Sequence, residues 1–314
     1  MKYSLIIPIH KYDDIVEHCL NTVNKHLVSE NCELIIILDN FDPKFKIKNS
    51  IKTPYKMYAN GARNFGARKA IGDYLIFLDS DIIIREDFLD NLESIIKNKN
   101  EKIITFPTGK EVSNNIFAKF KGLNENYYTN YLILKNKYTF ALHGYACVFE
   151  KNIFEELGGW PEGSKYDFIM EHEGFAKIIV EKGFKIYIDD STFVDHYHHK
   201  NLSLFKNIFY RSYIWTLKLF RKEVIFDKET KSNKNAISSF VCFLFIPLIF
   251  FSKFALTVNF IIYIILNYKF LLFLISRDKI NFIFYIFIHI IFLICTFSGA
   301  LTANLKFLYD RKIK

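Results

Sequence analysis

The twenty residues ARNFGARKAIGDYLIFLDSD, Ala62 to Asp81, decide the fold. Ala62 to Ile71 puts small residues and cations at helical spacing, and Tyr74 to Leu78 is an apolar run that stops at Asp79. A helix feeding such a run predicts a strand buried on both faces. Residues i and i+2 of an extended segment face the same side, so Asp79 and Asp81 would turn two carboxylates toward one hard cation while Ser80 faces away. The plainer alternative is that both acids are turn and helix-cap residues after a strand.

Outward from this unit, strands and helices alternate. Tyr3 to Ile9 reads as a buried strand, and Val16, Leu20, Val23 and Leu27 then recur at helical spacing. A second buried strand, Glu33 to Leu38, stops at Asp39, and a weaker third covers Tyr55 to Ala59. This order predicts an α/β fold with a mostly parallel sheet and right-handed crossovers. Ligands of such sheets bind beyond the carboxyl ends of the strands, where His10, Asp39 and the Asp79-Ser80-Asp81 run supply polar stations. A divalent ion there would bridge diphosphate oxygens. Two short strands, Ile186 to Ile188 and Thr192 to Val194, lead to the run DHYHH, Asp195 to His199, in which His198 and His199 read as a surface run. A rival metal site from Glu171, Glu173 and these histidines ranks below the Asp pair, since nothing fixes its geometry.

Composition separates a second part. The 314 residues are 51% hydrophobic and 18% aromatic, with 34 Phe against 12 Gly, too apolar for a wholly water-soluble chain. Ile237 to Tyr268 carries one charge, Lys253, and Ile280 to Leu305 carries none, which fits membrane helices of about 20 apolar residues each. Lys and Arg outnumber Asp and Glu by 17 to 5 from Lys200 onward, whereas acids lead by 28 to 25 in the first 199 residues. The net charge of +9 therefore belongs to the apolar part and suits anionic headgroups, not a nucleic acid. Ser203 to Lys222 projects as an amphipathic helix with Arg211, Lys218 and Lys222 along its edge, lying at the membrane interface or within the core of the globular domain. Two spans put both ends inside; three would put the basic tail, Lys306 to Lys314, outside. The start of the chain has no signal-peptide pattern, which predicts a catalytic part left in the cytoplasm of a multi-pass membrane protein. Cys19, Cys32, Cys147, Cys242 and Cys295 are scattered without metal spacing and read as reduced thiols. No internal repeat and no P-loop is present.

The ordered set from the opening strand through Asp39, Arg63, Asn64, Gly66, Ala70, Gly72 and Asp79-Ser80-Asp81, then Gly158-Gly159-Trp160 and His196, resembles the family 2 glycosyltransferases of the GT-A fold. The resemblance covers about the first 200 residues. It implies transfer of a sugar from a nucleotide diphosphate donor, usually with inversion and with Mg or Mn, to a lipid-linked or glycan acceptor. By the same resemblance Pro8, Ile9, His10 and Asp39 contact the nucleoside and Arg63 lies over the nucleotide, although Arg63 alone would read as a solvated helix cation. Asp79 and Ser80 complete the donor contacts, Asp79, Asp81 and His196 are metal ligands, and Gly158, Gly159 and Trp160 line the acceptor side. Alone, the glycines read as a helix C-cap before a core Trp, compatible with that role.

One departure matters. The family expects an acidic Glu-Asp pair thirteen positions, counted inclusively, before a closing glycine, and here Glu171 to Gly183 has the spacing but the pair is Glu171-His172. Either side chain can deprotonate an acceptor hydroxyl. The adjacent acids Glu171 and Glu173 favour the charged imidazole, which makes Glu171 the expected base and His172 the alternative. A module that binds the nucleotide without catalysis is the competing class. A processive synthase is a weaker one, because the chain lacks a Gln-x-x-Arg-Trp element. The loops that would choose the acceptor, such as Asn114 to Lys137, carry no readable code. The expected organisation is a catalytic domain over 1–200, a basic interfacial segment over 201–236, membrane helices over 237–305 and a basic tail over 306–314.

Overall fold

The computed structural model describes residues 1–135, 137–162, 171–188, 191–198, 201–224 and 232–313, with the side chains of all but 110–111, 130–135, 171, 232–235 and 312–313. It divides into two compact units, Met1–Val112 with Thr129–Tyr197, and Ser113–Tyr128 with His198–Lys314.

The first unit is built on a sheet in the order β3-β2-β1-β4-β9-β6-β10-β8. Its strands are β1 (Tyr3–Ile9), β2 (Cys32–Leu38), β3 (Ser50–Lys52), β4 (Tyr74–Leu78), β6 (Ile103–Thr105), β8 (Tyr138–Thr139), β9 (Ala146–Glu150) and β10 (Ile186–Ile188). β3, β2, β1 and β4 run parallel, while β9 is antiparallel to β4 and β6, and β8 to β10. A second sheet joins β5 (Ile82–Ile83), β11 (Val194–His196) and β7 (Thr108–Glu111).

Strand alternation sends Leu5, Ile7, Leu34 and Ile36 to one face, where α1 (Asp14–His26) and α3 (Phe88–Lys99) cover them with Val16, Val23, Phe88 and Leu92. Ile6, Ile35, Ile37 and Phe77 fill the other face under α2 (Tyr58–Ala67), α5 (Lys151–Leu157) and α6 (Glu171–Glu181). The unbroken apolar runs read from the sequence are thus strands covered on both sides. Glycines set the closest approaches. A Cβ on Gly66 of α2 would come within 2.6 Å of Ile6 Cγ2, and one on Gly72 within 2.6 Å of the Ser4 nitrogen. Asp13 starts α1 by accepting the Val16 N–H at 3.1 Å.

Several expectations are corrected. Tyr55 to Ala59 is not a strand. The third parallel strand is β3, because Pro54 has no N–H for a ladder and Asp39 captures the Met57 and Tyr58 N–H groups, starting α2 four residues before Ala62. The helix ends at Ala67, not Ile71, whose N–H is taken by the Glu33 carboxylate at 2.8 Å. The late strand is Val194–His196, not Thr192 to Val194. Asn114 to Lys137 is mostly α4 (Ile116–Lys135), a helix whose scattered polar residues hid its period.

In the second unit α7 (Ser203–Phe220) packs along α10 (Phe282–Ile313), with Ser212 Oγ donating to the Thr296 carbonyl at 2.6 Å. A Cβ on Gly299 would sit 2.3 Å from the Phe209 carbonyl oxygen. Lys218, expected at the helix edge, is buried. The first apolar block is not one helix. Ser252 caps α9 (Lys253–Arg277) by accepting the Ala255 N–H at 3.2 Å, separating it from α8 (Ser232–Phe251). α9 and the segment Phe282–Arg311 of α10 are long and apolar enough to cross a membrane. Lys269 therefore lies within a candidate span, and most of the basic tail is helical.

All five cysteines are free thiols. Burial pushes Cys19 and Cys32 up to about 12, and Cys147 upward too. At pH 8 a thiol reagent is expected to modify these three only after denaturant is added, as read by mass spectrometry. Gly72→Ala, which drives a methyl into the β1 backbone, is expected to cost about 1–3 kcal/mol. Urea unfolding at the wild-type midpoint would contradict that contact.

Candidate active site

The polar face of α2 organises the carboxyl edge of the sheet. Residues three and four apart share a helix face, which aligns Asn60, Arg63 and Asn64. Arg63 is buried, its side chain 3% exposed. Its Nη1 donates to Asn60 Oδ1 at 2.9 Å, and its Nη2 to the Asp79 carboxylate and to the Gly144 carbonyl at 3.3 Å. Its guanidinium carbon lies 4.8 Å from the Trp160 ring centroid. It is a buried ion-pair partner and not the solvated cation that its sequence alone suggests.

Asn64 and Asn60 hold the loop after α5. Asn64 Nδ2 donates to the Trp160 carbonyl at 2.8 Å and to Glu162 at 2.7 Å, and its Oδ1 accepts the Trp160 N–H at 2.9 Å. Asn60 donates to the Pro161 carbonyl at 2.8 Å. Gly158 and Gly159 turn the chain at φ of 87° and 78°, and a Cβ on Gly159 would lie 2.8 Å from Asn64 Oδ1. The Trp160 ring is a core side chain packed on Phe77, Phe149 and Phe175, so this loop offers no exposed indole for a sugar to stack on. Asn60 was not singled out by sequence; its spacing from Arg63 was the available signal.

The segment after β4 is a turn, closed by the Ile82 N–H on the Asp79 carbonyl at 3.3 Å, so the two-residue alternation expected for Asp79 and Asp81 does not apply. Asp79 pairs with Arg63. Asp81 Oδ1 lies 3.4 Å from His196 Nε2. Ser80, between them, is half-buried. One carboxylate and one imidazole at that separation are donors suited to Mg or, better, Mn.

His196 is held from several sides. It is paired with Ile82 across β5 and β11, and its ring lies tilted against Tyr145 at 5.1 Å, which in turn stacks on His143 at 5.2 Å. The neighbouring Asp195 takes Arg85 Nη2 at 2.7 Å, over Gly109, where a Cβ would meet Arg85 at 2.2 Å. Tyr197 donates its N–H to the Asp81 carbonyl at 3.0 Å and places its hydroxyl 2.8 Å from His18 Nδ1.

At the ends of β1 and β2, Pro8 is half-buried, Ile9 belongs to the core and His10 is exposed. The Asp39 carboxylate is committed to the start of α2, accepting Met57 N–H at 2.6 Å and Tyr58 N–H at 2.9 Å. His172 packs against Gly144, where an added Cβ would be 3.2 Å from its own, and its Nε2 lies 3.1 Å from Glu173. Glu171 opens α6, and its side chain is outside the described residues. His198 is not a surface residue. It is buried in the second unit with Nε2 3.5 Å from Glu125, and His199 is outside the described residues.

Residues 4–158 match the family model for glycosyl transferase family 2. The chain is 28% identical over 137 residues to a poly(ribitol-phosphate) beta-glucosyltransferase of Bacillus spizizenii, covering 40% of this chain and 20% of that protein. It is 29% identical over 143 residues to the minor teichoic acid biosynthesis protein GgaB of Bacillus subtilis, covering 39% and 16%. The chain thus spans about a fifth or less of the length of these curated relatives. The mannosyltransferase PcManGT from Pyrobaculum calidifontis, solved with GDP-Man and Mn2+, superposes with a TM-score of 0.55 at 12% identity over 98% of this chain and 87% of that chain, a likeness of fold. The mixed sheet agrees with that match: residues 4–158 are similar to the glycosyltransferase domain of family 2, and the fold is that of the GT-A enzymes.

Proposed function

We propose that the protein transfers a sugar from a nucleotide diphosphate donor to a glycan or lipid-linked acceptor at a membrane face, with inversion and with Mg or Mn held by Asp81 and His196. The observation that carries this reading is the Asp81–His196 pair, 3.4 Å apart, at the carboxyl end of β4 in a family 2 domain. Ligands of open α/β sheets collect at that edge. The bound ion would supply charge neutralisation for the departing diphosphate. The names of the relatives, which act on poly(ribitol phosphate) or in teichoic acid synthesis, support a cell-surface glycan as acceptor.

The chain's own residues divide the remaining work. Arg63 fixes Asp79, so the Asp79–Asp81 turn keeps one orientation, and Asn64 fixes the Gly158–Trp160 loop on the acceptor side. Pro8, Ile9, His10, Asp39 and Ser80 border the proposed nucleoside pocket. His172, with Nε2 3.1 Å from Glu173, is placed to donate to the diphosphate, and Glu171 is the proposed base. We assign the catalytic domain to about residue 200, on the cytoplasmic side, with α9 and α10 as membrane spans.

Membranes incubated with labelled nucleotide sugars and lipid extracts test the class: transfer, or release of nucleoside diphosphate, is expected, and neither with any donor would leave a binding module. In isothermal titration, Mn or Mg is expected to tighten nucleoside diphosphate binding, and Asp81→Ala to abolish that gain of about 10-fold or more. Metal-independent binding, unchanged in Asp81→Ala, would refute the ion's place. Glu171→Gln is expected to lower kcat by about 100-fold or more with donor binding retained. An inactive His172→Ala beside a near-normal Glu171→Gln, with an acidic limb at about pH 6–7 in place of about 4–5, would transfer the base role to His172.

A further inference from the structure

Residues 44–56 hold five lysines with no acid and no arginine, in a stretch of 199 residues where acids outnumber bases. Lys44, Lys46 and Lys48 are exposed on the loop after β2, which Ile47 pins into the core. Lys56 before α2 extends the same basic stretch, while Lys52 on the edge strand β3 is paired with Asp42 at 2.6 Å. Aromatic side chains are interleaved with them: Phe45 is 52% exposed, Tyr55 63% and Tyr58 38%. Phe45 packs edge-on against Tyr12 at 4.7 Å, and Lys56 Nζ sits 4.9 Å over the Tyr58 ring.

A lysine on an edge strand is commonly a guard against strand addition. That accounts for Lys52 alone, since the other four lie outside β3, and it does not account for exposed Phe45 and Tyr55. Lysines without arginine suit diffuse attraction to many phosphates more than bidentate reading of one. Aromatics set among lysines are the pattern of a membrane interface, where rings enter the headgroup layer and ammonium groups stay among the phosphates.

We infer that the face formed by residues 44–58 docks on an anionic bilayer surface. The inference rests on the membrane anchoring proposed above. A chain already tethered by α9 and α10 needs only weak attraction here, because tethering makes the contact intramolecular.

Hydrogen exchange of the full chain in nanodiscs tests it, comparing phosphatidylcholine alone with phosphatidylcholine containing phosphatidylglycerol. Amides of 44–58 are expected to exchange several-fold more slowly with the anionic lipid. The triple variant K44Q/K46Q/K48Q, or about 0.5 M salt, is expected to remove the protection. Equal exchange in both lipids overturns the docking. So does protection that ignores phosphatidylglycerol and follows only added nucleoside diphosphate or soluble polyphosphate, which would assign the lysines to the donor or to a polyanionic acceptor. Co-purification separates the two readings: a chain that stays in the nanodisc with 44–58 unprotected refutes the docking alone, and one that never enters refutes the anchoring as well.

Discussion

A charge taken out of water costs several kcal/mol unless it is paired and its donors are used, and Arg63 is the residue on which this constraint falls. Its partners come from three places in the chain: Asn60 on its own helix, Asp79 after β4, and the Gly144 carbonyl before β9. Satisfying one guanidinium therefore ties α2 to the ends of two strands. Asn64, one residue on, adds the Trp160 loop to the same assembly. Such an arrangement requires α2 to lie hard against the sheet, which Gly66 permits where any side chain would strike Ile6.

The parts legible in the sequence are those fixed by local period. β1, β2 and β4 appear within a residue of their expected limits, because each is a continuous apolar run between polar stops. What escaped the reading depends on partners far along the chain. The start of α2 is decided by Asp39, some eighteen residues away, and no pattern within residues 55–59 announces that. The burial of Arg63 is equally invisible, since a lone arginine on a helix looks the same whether or not an aspartate waits at the end of another strand. Alternation misled at Asp79 to Asp81, because the period-2 rule holds for strands and the chain turns there.

The second unit is built on long apolar helices. Apolar composition located the region but not its breaks, because Leu, Ile and Phe continue across Ser252 and only the cap separates α8 from α9. Polar groups inside it satisfy one another: Tyr263 hydroxyl and His289 Nδ1 are 3.0 Å apart, and Asn259 donates to the Val241 carbonyl at 2.9 Å. Were α9 and α10 to cross a membrane as proposed, these groups would have no water to turn to, and their mutual pairing would meet the condition for placing them in hydrocarbon.

The turn after β4 also bears on charge. A nucleoside diphosphate is itself anionic, and two uncompensated carboxylates at its site would repel it. Arg63 cancels Asp79, and what remains at the turn is the carboxylate of Asp81 beside the imidazole of His196. A divalent ion on the proposed donors would leave that end of the site net positive, whereas the same ion shared between two free aspartates would only be neutralised. Hence the buried pair that fixes the geometry of α2 also sets the sign of the field a diphosphate would meet, and the two aspartates, alike in sequence, serve different ends.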